Sequence, residues 1–309
     1  MVNLVLGWLD SKRRGQVLVI RHLRMRSALI VLSLVGLSVA GCASSPPTLG
    51  AQGVVFYCDG AGGGSAIRNW GRGVQEGFQL ASYRGSYDEF KWETGLGMIA
   101  DEEEAGKAKR VQGAKLAQQI RAYQAKFPDS PVNLVGLSAG TLIVLYALEV
   151  LPAANQVDSV VMLSSSVGAD YDLAGALRRV RGDMYVTTSP HDAMLGDLAP
   201  LFGTADRQYV GRRIAGLTGF ELPPGADRAT RRLYFKVVNI AWDPSLDKYG
   251  DYGGHTDTAK PEFVQHVVVP LITCEGPRYV RVHTPHSSGM TPTSVCLQPG
   301  FTSIPLPSF

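Results

Sequence analysis

The stretch Val132–Leu148, VNLVGLSAGTLIVLYAL, decides how this chain is read. It holds Gly136-Leu137-Ser138-Ala139-Gly140, and the question is whether Ser138 is a nucleophile or a serine that happens to lie between glycines. The pattern alone is weak. With 35 Gly and 22 Ser in 309 residues, G-x-S-x-G arises by chance about 0.3 times. Its flanks carry more. PVNLVG (131–136) is a short apolar run of the kind that forms a buried strand, and AGTLIVLYALEVL (139–151) is an almost wholly apolar helix. The serine therefore falls on a strand–turn–helix junction, where this pattern becomes a nucleophile elbow. Side chains beside the serine would clash in so tight a turn, so Gly136 and Gly140 leave it room. The helix N-terminus then aims backbone N–H groups at developing negative charge.

Outward from this unit, strands and helices alternate. GVVFYCDG (53–60), DEFKWET (88–94), DSVVMLS (158–164), GDMYVTTS (182–189) and RLYFKVVNIAW (232–242) read as further strands. NWGRGVQEGFQLA, EAGKAKRVQGAKLAQQIRAYQAKF and KPEFVQHVVVPLI read as helices, the second with Val111, Leu116, Ile120 and Tyr123 near helical spacing. Alternation of this kind predicts an α/β fold, a mostly parallel, doubly wound sheet of about six strands with helices on both faces. Continuous rather than alternating apolar strands fit burial on both faces.

The chain's formal charge of +3 is concentrated at its start. Residues 1–41 hold six Lys and Arg against Asp10, a net of +5 that leaves the remainder at −2, so no basic face for nucleic acid is implied. Arg21, Arg24 and Arg26 precede the 14-residue apolar run SALIVLSLVGLSVA, too short to span a bilayer and shaped like a secretory signal. Val39-Ala40-Gly41-Cys42 then resembles the lipobox of bacterial lipoproteins. That resemblance implies export, lipidation of Cys42 and anchoring to the cell envelope, with 42–52 as a tether and Met25 as an alternative start. The expected organisation is a leader over 1–41, the tether, an α/β domain over 53–273 and an irregular tail over 274–309. Cys274 and Cys296 flank that Pro/Gly/Ser-rich tail and are placed to form a disulfide, while Cys58 lies in a strand pattern as a buried free thiol. No clustered His/Cys spacing points to a metal.

With strand, elbow and helix in place, the region 53–272 resembles the α/β hydrolases, whose triad follows the chain order Ser, Asp or Glu, His. The resemblance implies Ser138 as nucleophile and Asp192, in the loop after the strand DMYVTTS, as the acid. Asp170 is the alternative acid and Asp197 a weaker one. His255, between the last strand and the last helix in KYGDYGGHTDT, is implied as the base. It also implies an oxyanion hole from the Ala139 N–H and from Ala61 or Gly62 in the loop DGAGGGS, which is similar to HGGG-type loops with Asp59 in place of histidine. That loop lacks the G-x-G-x-x-G spacing and the chain lacks a P-loop, so no nucleotide cofactor is expected. There is no room before Gly53 for the family's first two strands, which suggests a compact, cutinase-sized core. The implied function is a serine hydrolase acting on small-molecule or lipid esters, or thioesters, through an acyl-enzyme. The alternatives are an acyltransferase on the same three residues and a non-catalytic envelope lipoprotein that binds a partner.

Overall fold

Six parallel strands form the centre of the sheet: β1 (Val54–Cys58), β2 (Ser86–Glu89), β3 (Val132–Leu137), β4 (Ser159–Leu163), β5 (Met184–Thr188) and β6 (Val237–Ala241). They lie in the spatial order β2-β1-β3-β4-β5-β6. The structure is a computed structural model that describes residues 53–64, 69–103, 106–198, 203–207, 211–273, 280–286 and 289–295. The expected leader, tether, Cys42, Cys274 and Cys296 lie outside the described residues.

β1, β3 and β4 are buried on both faces, whereas β2 is a partly exposed edge strand. Phe56, Leu134 and Met162 point to one side, where α3 (Gly106–Lys126) and α4 (Gly140–Val150) supply Leu116, Ile120, Leu142 and Leu145. Tyr57, Val135, Leu137 and Val161 point to the other, against Val74 and Phe78 of α1 (Trp70–Leu80) and Phe263, Val264 and Val268 of the closing helix over 261–273. Burial on both sides is why these strands read as unbroken apolar runs. The closing helix widens into a π-type turn at Val264–Val268. Pro270 lies in the next turn, where it has no N–H to give to the helical ladder. Among the described residues no helix is long and apolar enough to cross a membrane.

Several elements differ from the sequence reading. The second strand occupies Ser86–Glu89 rather than 88–94, because β1 pairs with it from Val54↔Ser86 to Tyr57↔Glu89. Phe90 and Trp92, whose bulk suggested the strand, are instead buried beyond its end. Residues 232–236 are not strand. A helix over Arg228–Tyr234 ends there, its start capped by Asp227 Oδ1 accepting from the Thr230 N–H at 2.7 Å. Val111 is 51% exposed, since it precedes Leu116 by five residues and so lies off the face shared with Ile120. A short helix, α2 (Met98–Glu103), was not anticipated. Within the tail expected to be irregular, β7 (Val280–His286) and β8 (Gly289–Val295) form an antiparallel hairpin, with β8 joining the edge of β6 at Thr293. Val280, Val282 and Thr284 alternate there with other residues, the β-branched pattern that favours pairing.

Candidate active site

Ser138 sits between the end of β3 and the start of α4 with φ of 51°, a left-handed conformation that costs a non-glycine residue about 1–3 kcal/mol and persists only where its surroundings enforce it. They do. The Ser138 N–H donates to Leu163 O at 2.9 Å, and both the N–H (3.1 Å) and the hydroxyl (2.5 Å) of Thr141 donate to Ser138 O. Gly140 is fixed by close approach, because a Cβ there would lie 2.3 Å from Asp59 O and 2.4 Å from Cys58 O. Without that glycine the end of β1 could not pass against the first turn of α4.

His255 reaches Ser138 from the loop after β6. Its Nε2 lies 2.9 Å from Ser138 Oγ and its Nδ1 lies 2.7 Å from Asp192 Oδ2. Asp192 is 1% exposed and follows β5; its other oxygen accepts from the Leu195 N–H at 3.0 Å. A carboxylate can only accept, so Nδ1 carries the proton and Nε2 is left as acceptor for the serine hydroxyl. The two loops are tied together by Ser189 Oγ, which donates to Gly253 O at 2.8 Å. The histidine loop is bracketed by carboxylates: Asp251 Oδ1 accepts from Gly253 N, and Asp257 Oδ2 accepts from Gly254 N and Tyr252 N. Burial pushes the Asp251 carboxyl up to about 6.

The loop after β1 packs directly on the serine, since a Cβ on Gly60 would lie 3.3 Å from Ser138 Cβ. Asp59, fully buried, organises this loop. Its carboxylate accepts from the Tyr57 hydroxyl and Gly60 N at 2.8 Å each, from Gly64 N at 3.3 Å and from Gly71 N of α1 at 3.2 Å. Burial raises the Asp59 pKa, while the donors from Tyr57, Gly60 and Gly71 oppose that rise. Asp59, Glu89 and Glu93 bring carboxylate oxygens within 4.8 Å of one another, but Asp59 is committed to the loop and Glu89 pairs with Lys91. Burial pushes Glu93 up to about 7. A groove of about 560 Å³ opens beside the loop, between Gly62–Gly64 and Gly95–Met98, with Leu96 and Ile99 largely exposed near it.

Of the two alternatives in this loop, Gly62 is corrected: its N–H is taken by Asp101 Oδ2 at 2.7 Å and is not available to a ligand. The N–H groups of Ala61 and Ala139 donate to no group among the described residues. Asp170 stands away from His255, 40% exposed and 3.8 Å from Arg213, and Asp197 is exposed beside Arg212. His191 packs edge-on against Trp242 and His266 stacks on Tyr249. Cys58 is buried and free, its thiol pushed well above its ordinary pKa by burial. Sequence reading missed Asp101, Thr141, Ser189 and Asp251. Of these only Thr141, in the first turn of α4, is close in sequence to the serine it holds.

No family model matches the chain, and no curated protein matches it. Solved structures similar to it include an esterase, PE8 (14% identity, 72% of this chain and 96% of that one, TM-score 0.42). A cutinase-like protein from Cryptococcus sp. (12%, 71% and 94%, TM-score 0.35) and an acetylxylan esterase (13%, 72% and 94%, TM-score 0.38) are also similar. Likenesses this distant carry no information about activity. The chain's own strand order gives it an open, mostly parallel α/β sheet, with Ser138, Asp192 and His255 brought together by the loops after β3, β5 and β6.

Proposed function

We propose that the protein is a serine hydrolase that cleaves carboxylic esters or thioesters through an acyl-enzyme on Ser138. The observation that carries this reading is the continuous hydrogen-bonded chain from Ser138 Oγ through His255 to Asp192, at 2.9 and 2.7 Å. In this reading Ser138 Oγ attacks the ester carbonyl carbon as its proton passes to His255 Nε2. The carbonyl π electrons move onto oxygen, which accepts from the N–H groups of Ala139 and the β1 loop. Collapse of the adduct expels the alkoxide or thiolate, which takes the proton from His255. Water, deprotonated by His255 in turn, releases the acid and restores Ser138. Asp192 holds the imidazole in the required tautomer and stabilises its cation. The groove beside Gly62–Gly64 is the place for the substrate's substituents.

The same proposal includes a lipid anchor at Cys42, supported by the basic, apolar and small-residue order of 21–42. The test of the activity uses the full chain extracted in detergent, with p-nitrophenyl esters of graded chain length and a fluorophosphonate probe. Labelling mapped to Ser138, and turnover lost in both Ser138→Ala and His255→Ala, is the expected result. Folded protein without labelling or turnover removes the proposal. Incorporation of radiolabelled palmitate, abolished by Cys42→Ser, tests the anchor.

A further inference from the structure

The loop that carries the second oxyanion donor contains five backbone N–H groups, from Gly60 to Gly64, and four of them are spoken for. Gly60 N and Gly64 N donate to the Asp59 carboxylate, Gly63 N donates to Gly60 O at 2.9 Å, and Gly62 N donates to Asp101 Oδ2 at 2.7 Å. Ala61 N alone is left without an acceptor among the described residues, although Ala61 is only 5% exposed. Buried backbone donors are nearly always paired, so one left open beside a strained serine is set aside for a ligand atom.

What turns Ala61 into the open donor is Asp101. It arrives from α2, 39 residues away in the chain, fully buried. Its Oδ2 takes the Gly62 N–H, and its Oδ1 accepts from both the N–H (2.7 Å) and the hydroxyl (2.5 Å) of Thr94. Gly62 has φ of +76°, and a Cβ there would lie 2.9 Å from Met98 Cβ, so the loop makes its left-handed turn hard against the start of α2. The Ala61 and Gly62 N–H groups are separated by only the two backbone torsions of Ala61. Fixing Gly62 N onto Asp101 therefore fixes the direction of its neighbour, Ala61 N.

We propose that Asp101 is a positioning residue for the oxyanion hole: by gripping the Gly62 N–H it aims the Ala61 N–H at the oxygen of an ester bound to Ser138. This rests on the reading of Ser138, His255 and Asp192 as the reacting machinery. It goes further by assigning the second donor to Ala61 alone and its orientation to a buried carboxylate outside the triad.

Four substitutions separate this role from simple support of the fold. Asp101→Ala removes the grip and is expected to lower kcat about 100-fold with KM changed less than threefold, the size of losing one well-placed donor. Asp101→Asn has one oxygen for two backbone donors, Gly62 N and Thr94 N, so one of them must face its NH2 group, and its kcat is expected to fall between those of wild type and Asp101→Ala. Thr94→Val removes the hydroxyl's bonds to Asp101 and from the exposed Leu96 N–H but keeps the Thr94 N–H on Asp101, and is expected to stay within threefold. Asp101→Glu, which keeps the charge but carries it one methylene further, reports the same loss should the alanine variant not fold.

A second readout is specific to the oxyanion. In a thionoester the charge develops on sulfur, a weak acceptor, so the ratio of oxoester to thionoester turnover measures donor placement. That ratio is expected to fall in Asp101→Ala and Asp101→Glu and to hold in Thr94→Val. A folded Asp101→Ala or Asp101→Glu variant with wild-type kcat and ratio overturns the proposal. So does an equal loss in all the variants with the ratio unchanged. A wild-type protein with no esterase activity and no fluorophosphonate labelling refutes the hydrolase reading itself, a result distinguishable from either.

Discussion

Asp192 and His255 are 63 residues apart in the chain and 2.7 Å apart in space, the acid on the loop after β5 and the histidine on the loop after β6. Asp192 is nearly inaccessible, and its second oxygen is occupied by the Leu195 N–H, so one oxygen faces the imidazole in a fixed direction. Asp192→Asn would present an amide that can donate to Nδ1 and so favour the wrong tautomer. We expect kcat to fall about 10³–10⁴-fold with KM little changed, measured with p-nitrophenyl esters. Asp170→Asn is the control, because Asp170 lies at the surface 3.8 Å from Arg213, and its kcat should stay within twofold. A loss in Asp170→Asn comparable to that in Asp192→Asn would move the acid to the earlier strand.

Much of this arrangement was legible because burial writes itself into composition. β1, β3 and β4 are buried on both faces and so are apolar at nearly every position, Asn133 and Ser159 being the exceptions, and the elbow's glycines follow from contacts that any such turn makes. Chain order then located Asp192 and His255 on strand ends. What could not be read is long-range. Phe90 and Trp92 look like strand residues but pack beyond the end of a four-residue edge strand, where Trp92 Nε1 donates to Asp59 O. Asp227 looks like any loop aspartate until it caps the helix that displaces the start of β6. Asp101, in the run Asp101-Glu102-Glu103, reads as a solvated charge; only the fold brings it beneath the Gly62 N–H.

Gly140 separates steric from conformational demands on glycine. Its own φ is ordinary, but an added methyl would strike two backbone oxygens, those of Cys58 and Asp59, at 2.4 and 2.3 Å. Backbone in the middle of a sheet cannot move aside, so Gly140→Ala should cost about 3 kcal/mol and disturb the elbow, abolishing fluorophosphonate labelling. Gly225 has φ of +72° with open space around it, and Gly225→Ala should cost about 1 kcal/mol with labelling intact. Urea unfolding of both variants checks the pair. Equal costs would mean that the sheet yields at Gly140.

Cys58 ends β1 directly beneath the Asp59 loop, has no exposed surface and is held protonated by burial. A thiol must ionise and be reached to react. Iodoacetamide labelling mapped by mass spectrometry should therefore leave Cys58 unmodified in the native protein for hours and modify it fully in denaturant. Native labelling at a rate near that of a free thiol would show that the end of β1 opens readily, and would undercut the rigid packing assigned to the serine's surroundings.

Asp251 links stability to pH through the histidine loop. Burial is the main cause of its rise from 3.8 to about 6, with Asp257 adding to it and Lys260 opposing it. Between these values the folded protein holds a proton that the unfolded chain has released. This group's contribution to stability is therefore fully present below about pH 4 and is lost as pH rises towards 6, after which it stays constant. Asp251→Asn keeps an oxygen for the Gly253 N–H and removes the charge that burial penalises. The variant should be more stable than wild type at pH 7, by at most about 3 kcal/mol, and the gap should close below pH 4. Asp59 and Glu93 are raised in the same sense, so the difference between variant and wild type, rather than the slope of either alone, isolates Asp251. Thermal unfolding of both proteins from pH 4 to pH 8 provides it. A gap that does not change with pH would mean that Asp251 is ionised throughout, and that its carboxylate is stabilised more by Gly253 and Lys260 than its burial implies.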